Sequence, residues 1–251
     1  MLLGEPPRTQ FDLNFSLLGV PVRVHPLFWL VTVLLGGNLS DAGSVLSWII
    51  AVFLSILVHE FGHALAMRAF GFRPWIILYG MGGLTSYDQG YGGRRTGLKP
   101  LGQILISFAG PLAGFLLAGV LVLGLAVAGY GDVIRWVGPW HSKILPQLEW
   151  FPNLRAGNLI NSIFFISVIW GIVNLLPVYP LDGGQIAREV LMSFNPREGI
   201  RWSLMLSMFA AVAMAMIGFT QLHSFYVALF FGYLAFGSYT TLQAYSGRGP
   251  W

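Results

Sequence analysis

The chain contains no cysteine, and charged residues are scarce, at 10% of its 251 positions. The first absence excludes disulfides, thiolate metal ligands and cysteine nucleophiles, so a metal site must use nitrogen and oxygen donors. The second excludes an ordinary soluble domain, in which about a quarter of the residues would be charged. Hydrophobic residues make up 55% of the sequence instead, which is the composition of a polytopic membrane protein.

Two further features are missing. The formal net charge is only +4, and the basic residues lie between the apolar segments, so we expect no nucleic-acid partner. The N-terminal stretch MLLGEPPRTQFDLNF has an early glutamate, two prolines and no continuous apolar run. We therefore expect no cleavable signal peptide, and targeting would depend on the first membrane segment.

Apolar runs predict about six transmembrane helices in an all-α polytopic fold, since a span needs roughly 20 apolar residues. The predicted spans are 26–35, which is short, and 45–69, 101–130, 159–176, 202–222 and 225–244. Residues 11–25 alternate apolar and polar side chains and predict a short strand or interfacial segment. Residues 74–85 are apolar but glycine-rich, which favours a small membrane-associated β-hairpin or re-entrant loop.

The second predicted span contains the candidate metal-binding and catalytic side chains. Between residues 45 and 67 the only ionisable side chains are His59, Glu60 and His63, and each charged group costs roughly 2.5–3.5 kcal/mol at mid-bilayer. His59 and His63 are four residues apart, so they project from one face of a helix and can bind one ion. Glu60 completes His-Glu-x-x-His, the zinc metallopeptidase pattern in which the glutamate is the general base. The alternative is a histidine pair that caps a cavity or packs against small neighbours.

A zinc site of this kind normally takes a third protein ligand. Asp182 is the best candidate, because it follows a membrane helix that Pro177 and Pro180 must break. An aspartate before glycine is also a common turn former, and that alternative stays open for Asp182 taken alone.

These motifs resemble the site-2 protease family of intramembrane zinc metallopeptidases (peptidase family M50). The resemblance rests on HEFGH at 59–63 and on NLLPVYPLDGG at 174–184, and it extends to GVPVRVHPLFWL near the start, the MGG loop at 81–83 and AGPLAG at 109–114. The shared core of that family is three helices, here the second to the fourth. One position departs from it: Gly114 stands where many members have asparagine.

The resemblance implies a zinc-dependent metalloendopeptidase with one Zn²⁺ per chain. Its implied metal ligands are His59, His63 and Asp182, and its implied catalytic residues are Glu60 as acid/base and Asn174 as a substrate or oxyanion group. Gly82, Gly83, Asn174 and Pro177 would contact substrate. The function expected is regulated intramembrane proteolysis of single-span membrane proteins in the lipid bilayer, with accessory membrane regulators left open as partners.

Two rival functions use the same residues. A membrane metal-binding or metal-transport protein could use His59, His63 and Asp182 as a transit site. A catalytically inactive relative could act as a membrane chaperone, although the intact HExxH motif argues against that role.

Orientation and organisation complete the expectations. Six spans with a cytoplasmic N-terminus place eleven Lys and Arg residues inside and three outside, as the positive-inside rule requires. Both termini would then be cytoplasmic in a multi-pass cell or inner-membrane protein, with the active site nearer the cytoplasmic side. We expect an N-terminal interfacial segment at 1–25, a catalytic membrane core at 26–200, and two scaffold spans with a short tail at 201–251.

Overall fold

A computed structural model describes residues 5–36, 41–88, 98–130, 134–135, 147–148 and 154–246. Most of these residues are helical, and a small sheet accompanies the helices. They fall into two compact units, one drawn from 4–93 and 109–171 and the other from 94–108 and 172–251. The sheet and the HExxH motif belong to the first unit, and Asp182 belongs to the second.

The sheet has four strands in the order β1-β2-β3-β4. Their bounds are β1 Leu13–Leu17, β2 Val20–Val24, β3 Arg73–Tyr79 and β4 Gly82–Asp88. The β1–β2 and β3–β4 pairs are antiparallel hairpins, whereas β2 and β3 run parallel, with Val22 aligned on Ile76. The expected hairpin at 74–85 therefore forms, but it belongs to a larger sheet that also includes residues 13–24.

Alternation explains how the sheet packs. In β2, Val20, Val22 and Val24 are at most 2% exposed, whereas Pro21 between them is exposed. Successive side chains of a strand point to opposite faces, so the valine face of β2 joins the hydrophobic core of this unit. The register places Ile76 of β3 and Thr85 of β4 on that same face.

The opposite face of β2 is tied to the N-terminal segment by Arg23. Its guanidinium lies 3.0 Å from Asp12 Oδ2 and donates to the Pro6 carbonyl. A hydrogen bond from the Thr9 hydroxyl and the nearby Arg23 lower the pKa of Asp12 to about 2. Because this pKa lies below its unfolded value of 3.8, the stability that the carboxylate contributes is present above about pH 4 and is lost towards pH 2.

Two helices precede β3. The first, α1 (Pro26–Leu35), begins after His25, whose Nδ1 accepts a hydrogen bond from the Leu27 N–H. The second, α2 (Ala42–Ala69), is capped by Asp41 and is 28 residues long, or about 42 Å. That length exceeds the roughly 30 Å hydrocarbon core of a bilayer, so α2 can cross it with residues to spare.

The other helices are α3 (Pro100–Leu125), α4 (Leu154–Asn174), α5 (Asp182–Phe194), α6 (Gly199–Thr220) and α7 (Phe225–Ser246). A π-helical turn, Ala126–Tyr130, extends α3, and the two-residue strands β5 (Ile134–Arg135) and β6 (Gln147–Leu148) pair with each other. In the second unit, α5 packs on α6 and α6 packs on α7.

Within the described part of the chain, four helices are long and apolar enough to cross a membrane. They are Ala42–Ala69, Pro100–Gly129, Gly199–Thr220 and Phe225–Tyr245, whereas Pro26–Leu35 and Leu159–Asn174 are shorter apolar helices. These helices make the chain an integral membrane protein. Of the basic residues used for orientation, Arg94, Arg95, Lys143 and Arg248 lie outside the described residues.

Candidate metal centre

His59, Glu60 and His63 form a compact group in the second half of α2. Their side chains are almost fully buried, and each offers one donor atom within 4.8 Å of the others. The Nε2 atoms of His59 and His63 are 3.2 Å apart. The sequence thus predicted which side chains of this helix come together.

The donor geometry fits a zinc ion. Two imidazole nitrogens bound to one tetrahedral zinc at 2.0–2.1 Å would be about 3.3 Å apart, close to the separation between the His59 and His63 Nε2 atoms. The buried donor set of nitrogen and carboxylate oxygen also suits Zn²⁺. On both counts the residues present can hold the metal.

Gly110 of α3 leaves room for the two imidazoles. A β-carbon at Gly110 would overlap Nε2 of His63 and would lie 2.8 Å from Nε2 of His59. The α3 backbone therefore approaches the donor atoms directly, and any side chain at this position would occupy the space between or beside them. Residue 110 belongs to the AGPLAG stretch, but its contact with the imidazoles was not predicted.

Strand β4 approaches Glu60 from the sheet. The Thr85 hydroxyl donates a hydrogen bond to Oε2 of Glu60 at 2.7 Å and lies 3.1 Å from the Glu60 carbonyl. A β-carbon at Gly83 would overlap the Glu60 carboxyl group. Gly83 and Thr85 are two residues apart, so both face α2, and the strand thereby fixes and covers the carboxylate.

Small residues bring α2, α3 and α4 close together around the group. A β-carbon at Gly62 of α2 would overlap the Ala109 carbonyl of α3, and a β-carbon at Gly114 of α3 would lie 3.0 Å from the Ser167 carbonyl of α4. The Ser167 hydroxyl donates to the Ser55 hydroxyl at 3.2 Å. Gly114 thus provides a close contact between α3 and α4, which the β-carbon of an asparagine would crowd.

The second unit holds the other predicted site residues. Asn174 is the buried last residue of α4, and Asp182 is the first residue of α5. Pro177 lies in the turn between these helices. The roles of Asn174, Pro177 and Asp182 at the metal centre stay predictions.

The turn that leads to Asp182 is anchored by α6 and α7. The backbone N–H of Tyr179 donates to the Ser207 hydroxyl at 2.5 Å, and Ser207 is 2.9 Å from the Ser238 hydroxyl. Both serines are at most 1% exposed. The two C-terminal helices therefore hold the turn that precedes Asp182. The available sequence signal was a hydroxyl side chain within each of two apolar segments, at Ser207 and Ser238.

Comparison with known proteins agrees with this architecture. The profile of peptidase family M50 matches residues 47–218. This range includes both HEFGH at 59–63 and NLLPVYPLDGG at 174–184. The match covers well over half of the sequence, and the chain belongs to peptidase family M50.

The individual relatives share less than a third of their aligned residues with this chain. A zinc metalloprotease of Methanocaldococcus jannaschii is 26% identical over 181 residues, covering 70% of this chain and 44% of that protein. Stage IV sporulation protein FB of Bacillus subtilis is 29% identical over 174 residues, covering 66% of this chain and 46% of that protein. The chain spans less than half the length of these curated relatives.

The fold has a solved counterpart. The structure of the site-2 protease from Methanocaldococcus jannaschii aligns with a TM-score of 0.58 at 22% identity, covering 92% of this chain and 95% of that chain. At this level of identity the likeness concerns the fold. It supports a mostly helical fold with a small sheet, as expected from the sequence.

Proposed function

We propose that the chain is a zinc-dependent intramembrane endopeptidase that hydrolyses peptide bonds in or near the transmembrane segments of membrane proteins. One observation carries this proposal: a buried His59–Glu60–His63 group on a membrane-length apolar helix, with Glu60 held by Thr85 of a sheet strand. Metal binding alone would need the two histidines. It would not need a carboxylate positioned beside them by a second element.

His59 and His63 would hold the zinc ion together with Asp182 as third ligand. When bound, zinc supplies Lewis-acid activation of water and of the scissile carbonyl. Glu60 accepts the proton of the attacking water at its carboxylate and returns it to the amide nitrogen of the leaving peptide. Asn174 donates a hydrogen bond to the oxyanion that develops on the carbonyl.

Strand β4 offers a place for the substrate. It pairs with β3 on one side, and among the described residues nothing pairs with its other edge. A substrate helix must unwind before hydrolysis, and an extended segment can add to an open strand edge through main-chain hydrogen bonds. Gly82 and Gly83 would contact that segment beside Glu60, and Asn174 and Pro177 are the other proposed substrate contacts.

The membrane topology follows the positive-inside rule. The two shorter apolar helices, Pro26–Leu35 and Leu159–Asn174, would bring the number of spans to six, with both termini in the cytoplasm. His59 and His63 occupy the second half of α2, which supports a site nearer the cytoplasmic side in this topology. Single-span membrane proteins are the proposed substrates, and accessory membrane proteins could control their access.

The decisive experiment compares wild type with Glu60→Gln after reconstitution with single-span substrates. We expect hydrolysis to fall by about 10²–10⁴-fold, the usual contribution of a general acid/base, whereas bound zinc measured by elemental analysis stays near one per chain. Chelation should abolish hydrolysis in wild type and readdition of zinc should restore it.

The metal-transport alternative predicts the opposite pattern. Zinc flux into vesicles would then be measurable in wild type and would persist in Glu60→Gln, because that variant keeps both imidazoles. Zinc flux without peptide hydrolysis would overturn the proposed function.

A further inference from the structure

Trp170 of α4 lies against the first residue of β4. A β-carbon at Gly82 would lie 2.6 Å from Cζ2 and 2.9 Å from Cη2 of the Trp170 ring. The indole therefore fills the space in which a side chain at Gly82 would stand. Gly82 also has φ +115°, a conformation that other residues rarely adopt.

The next residue of the strand faces the opposite way. Gly83 lies against the Glu60 carboxylate, as described above, and successive positions of a strand point to opposite faces. The start of β4 is thus held between an indole on one face and the proposed acid/base on the other. In a segment that paired with the open edge of β4, successive side chains would point alternately to the Trp170 side and to the Glu60 side of the sheet.

The position of Trp170 is fixed by the helix packing around it. One residue later, a β-carbon at Gly171 would lie 2.7 Å from the Phe115 ring of α3, and three residues earlier Ser167 contacts Gly114 and Ser55. Trp170 itself packs against the hydrophobic core of this unit. Close contacts on both sides of Trp170 therefore hold the α4 backbone in place, and the core packing holds the indole against β4.

We infer that Trp170 limits the size of one substrate side chain, namely that of the residue aligned with Gly82. Aligned residues on neighbouring strands project to the same face, so this side chain would meet the indole. Glycine, alanine or serine fits there, whereas leucine or phenylalanine does not. The inference rests on the proposed function, and it adds a specificity determinant to it.

The experiment uses a single-span substrate in which each residue within three positions of the cleaved bond is changed to alanine and to leucine in turn. In wild type we expect one position at which kcat/KM for alanine exceeds that for leucine by at least about 10- to 100-fold, since a single methylene in an apolar pocket already changes kcat/KM by roughly that factor. In Trp170→Ala this ratio should fall below about 3, and Trp170→Phe should give an intermediate value.

Trp48 provides the matched control. It lies in the first turns of α2, twelve residues from Glu60, and its indole donates to the Thr32 carbonyl at 3.0 Å. Trp48→Phe should leave the alanine-to-leucine ratio as in wild type. Bound zinc should be unchanged in all three variants.

Two results would overturn the inference. One is an equal loss of kcat/KM for every peptide in Trp170→Ala, which would indicate a structural role. The other is a size restriction that persists in that variant. These results must be separated from failure of the proposed function. The alanine and leucine substrates, each carrying a fluorescent label, are therefore titrated into Glu60→Gln with and without Trp170→Ala, because their binding affinity reports the size preference without turnover.

Discussion

The same dipeptide, Gly-Gly, occurs in both compact units and has a different structural role in each. At Gly82–Gly83 a β-carbon would collide with side chains, those of Trp170 and Glu60. At Gly183–Gly184 it would collide with backbone, that of Leu175 and Val178 in the turn before α5. The first pair makes room for the Trp170 and Glu60 side chains, and the second lets the first turn of α5 pack on the chain that precedes it.

This difference separates two requirements of the proposed enzyme. The strand pair at 82–83 controls how a substrate and Glu60 approach each other, whereas the helix pair at 183–184 controls where Asp182 stands. A methyl group added to either pair should therefore impair hydrolysis, but for different reasons. Zinc affinity is the measurement that tells them apart.

Gly83→Ala should have the larger effect. Its methyl group must displace either β4 or the Glu60 carboxylate, and a misplacement of about 1 Å can lower turnover roughly 10²-fold. We expect kcat/KM to fall by about 100-fold or more while the zinc affinity stays close to that of wild type, because His59 and His63 are untouched.

Gly80→Ala is the control within the same hairpin. Its β-carbon would meet Val31 and Leu27 at 3.4 and 3.5 Å, ordinary van der Waals contacts, and activity should be retained. Loss of zinc in Gly83→Ala would contradict the comparison, since it would mean that the strand also supports the metal ligands.

Gly183→Ala should act on the metal instead. Its methyl group would overlap the Leu175 carbonyl, so the first turn of α5 and Asp182 with it must shift. Disturbing groups that orient a ligand typically lowers metal affinity by 10- to 100-fold, and we expect a loss of zinc affinity in that range, measured by competition with a chelator.

Excess zinc should restore much of the activity of Gly183→Ala, which it cannot do for Gly83→Ala. Gly232→Ala on α7 is the control, because nothing lies within 4 Å of its β-carbon. Unchanged zinc affinity in Gly183→Ala would count against Asp182 as a ligand.

Patterns within short stretches of sequence predicted the structural features that depend on neighbouring residues. The apolar runs predicted the long helices, and the spacing of His59 and His63 placed both imidazoles on one helix face. Glycines predicted a break at 74–85, where β3 and β4 form a hairpin. Each of these features depends on residues within a few positions of one another.

Long-range packing was not accessible in the same way. The parallel pairing of Val22 with Ile76 joins segments separated by two helices, and no periodicity within either segment specifies it. Gly110 and Trp170 reach the site because α3 and α4 pack closely on α2 and β4, which depends on helix crossings. The six-span count, the domain boundaries and the role of Asp182 stay predictions.

Thr85 gives the smallest and most specific test of the strand region. Its hydroxyl donates to Glu60 Oε2, and a hydrogen bond to a charged group contributes about 1.5–3 kcal/mol, part of which water will replace in a variant. Thr85→Val keeps the shape of the side chain and removes the donor, so we expect kcat to fall about 10-fold with little change in KM or zinc content.

Thr85→Ser separates positioning from packing. Serine restores the hydroxyl but lacks the methyl group, so a positioning role for Thr85 predicts recovery of kcat to within about 3-fold of wild type. If Thr85→Ser is as slow as Thr85→Val, the methyl group matters more than the hydrogen bond. In that case β4 would act on Glu60 through the close approach of the Gly83 backbone alone. Gly82–Gly83 would then resemble Gly183–Gly184, which act only by letting the backbone pack closely.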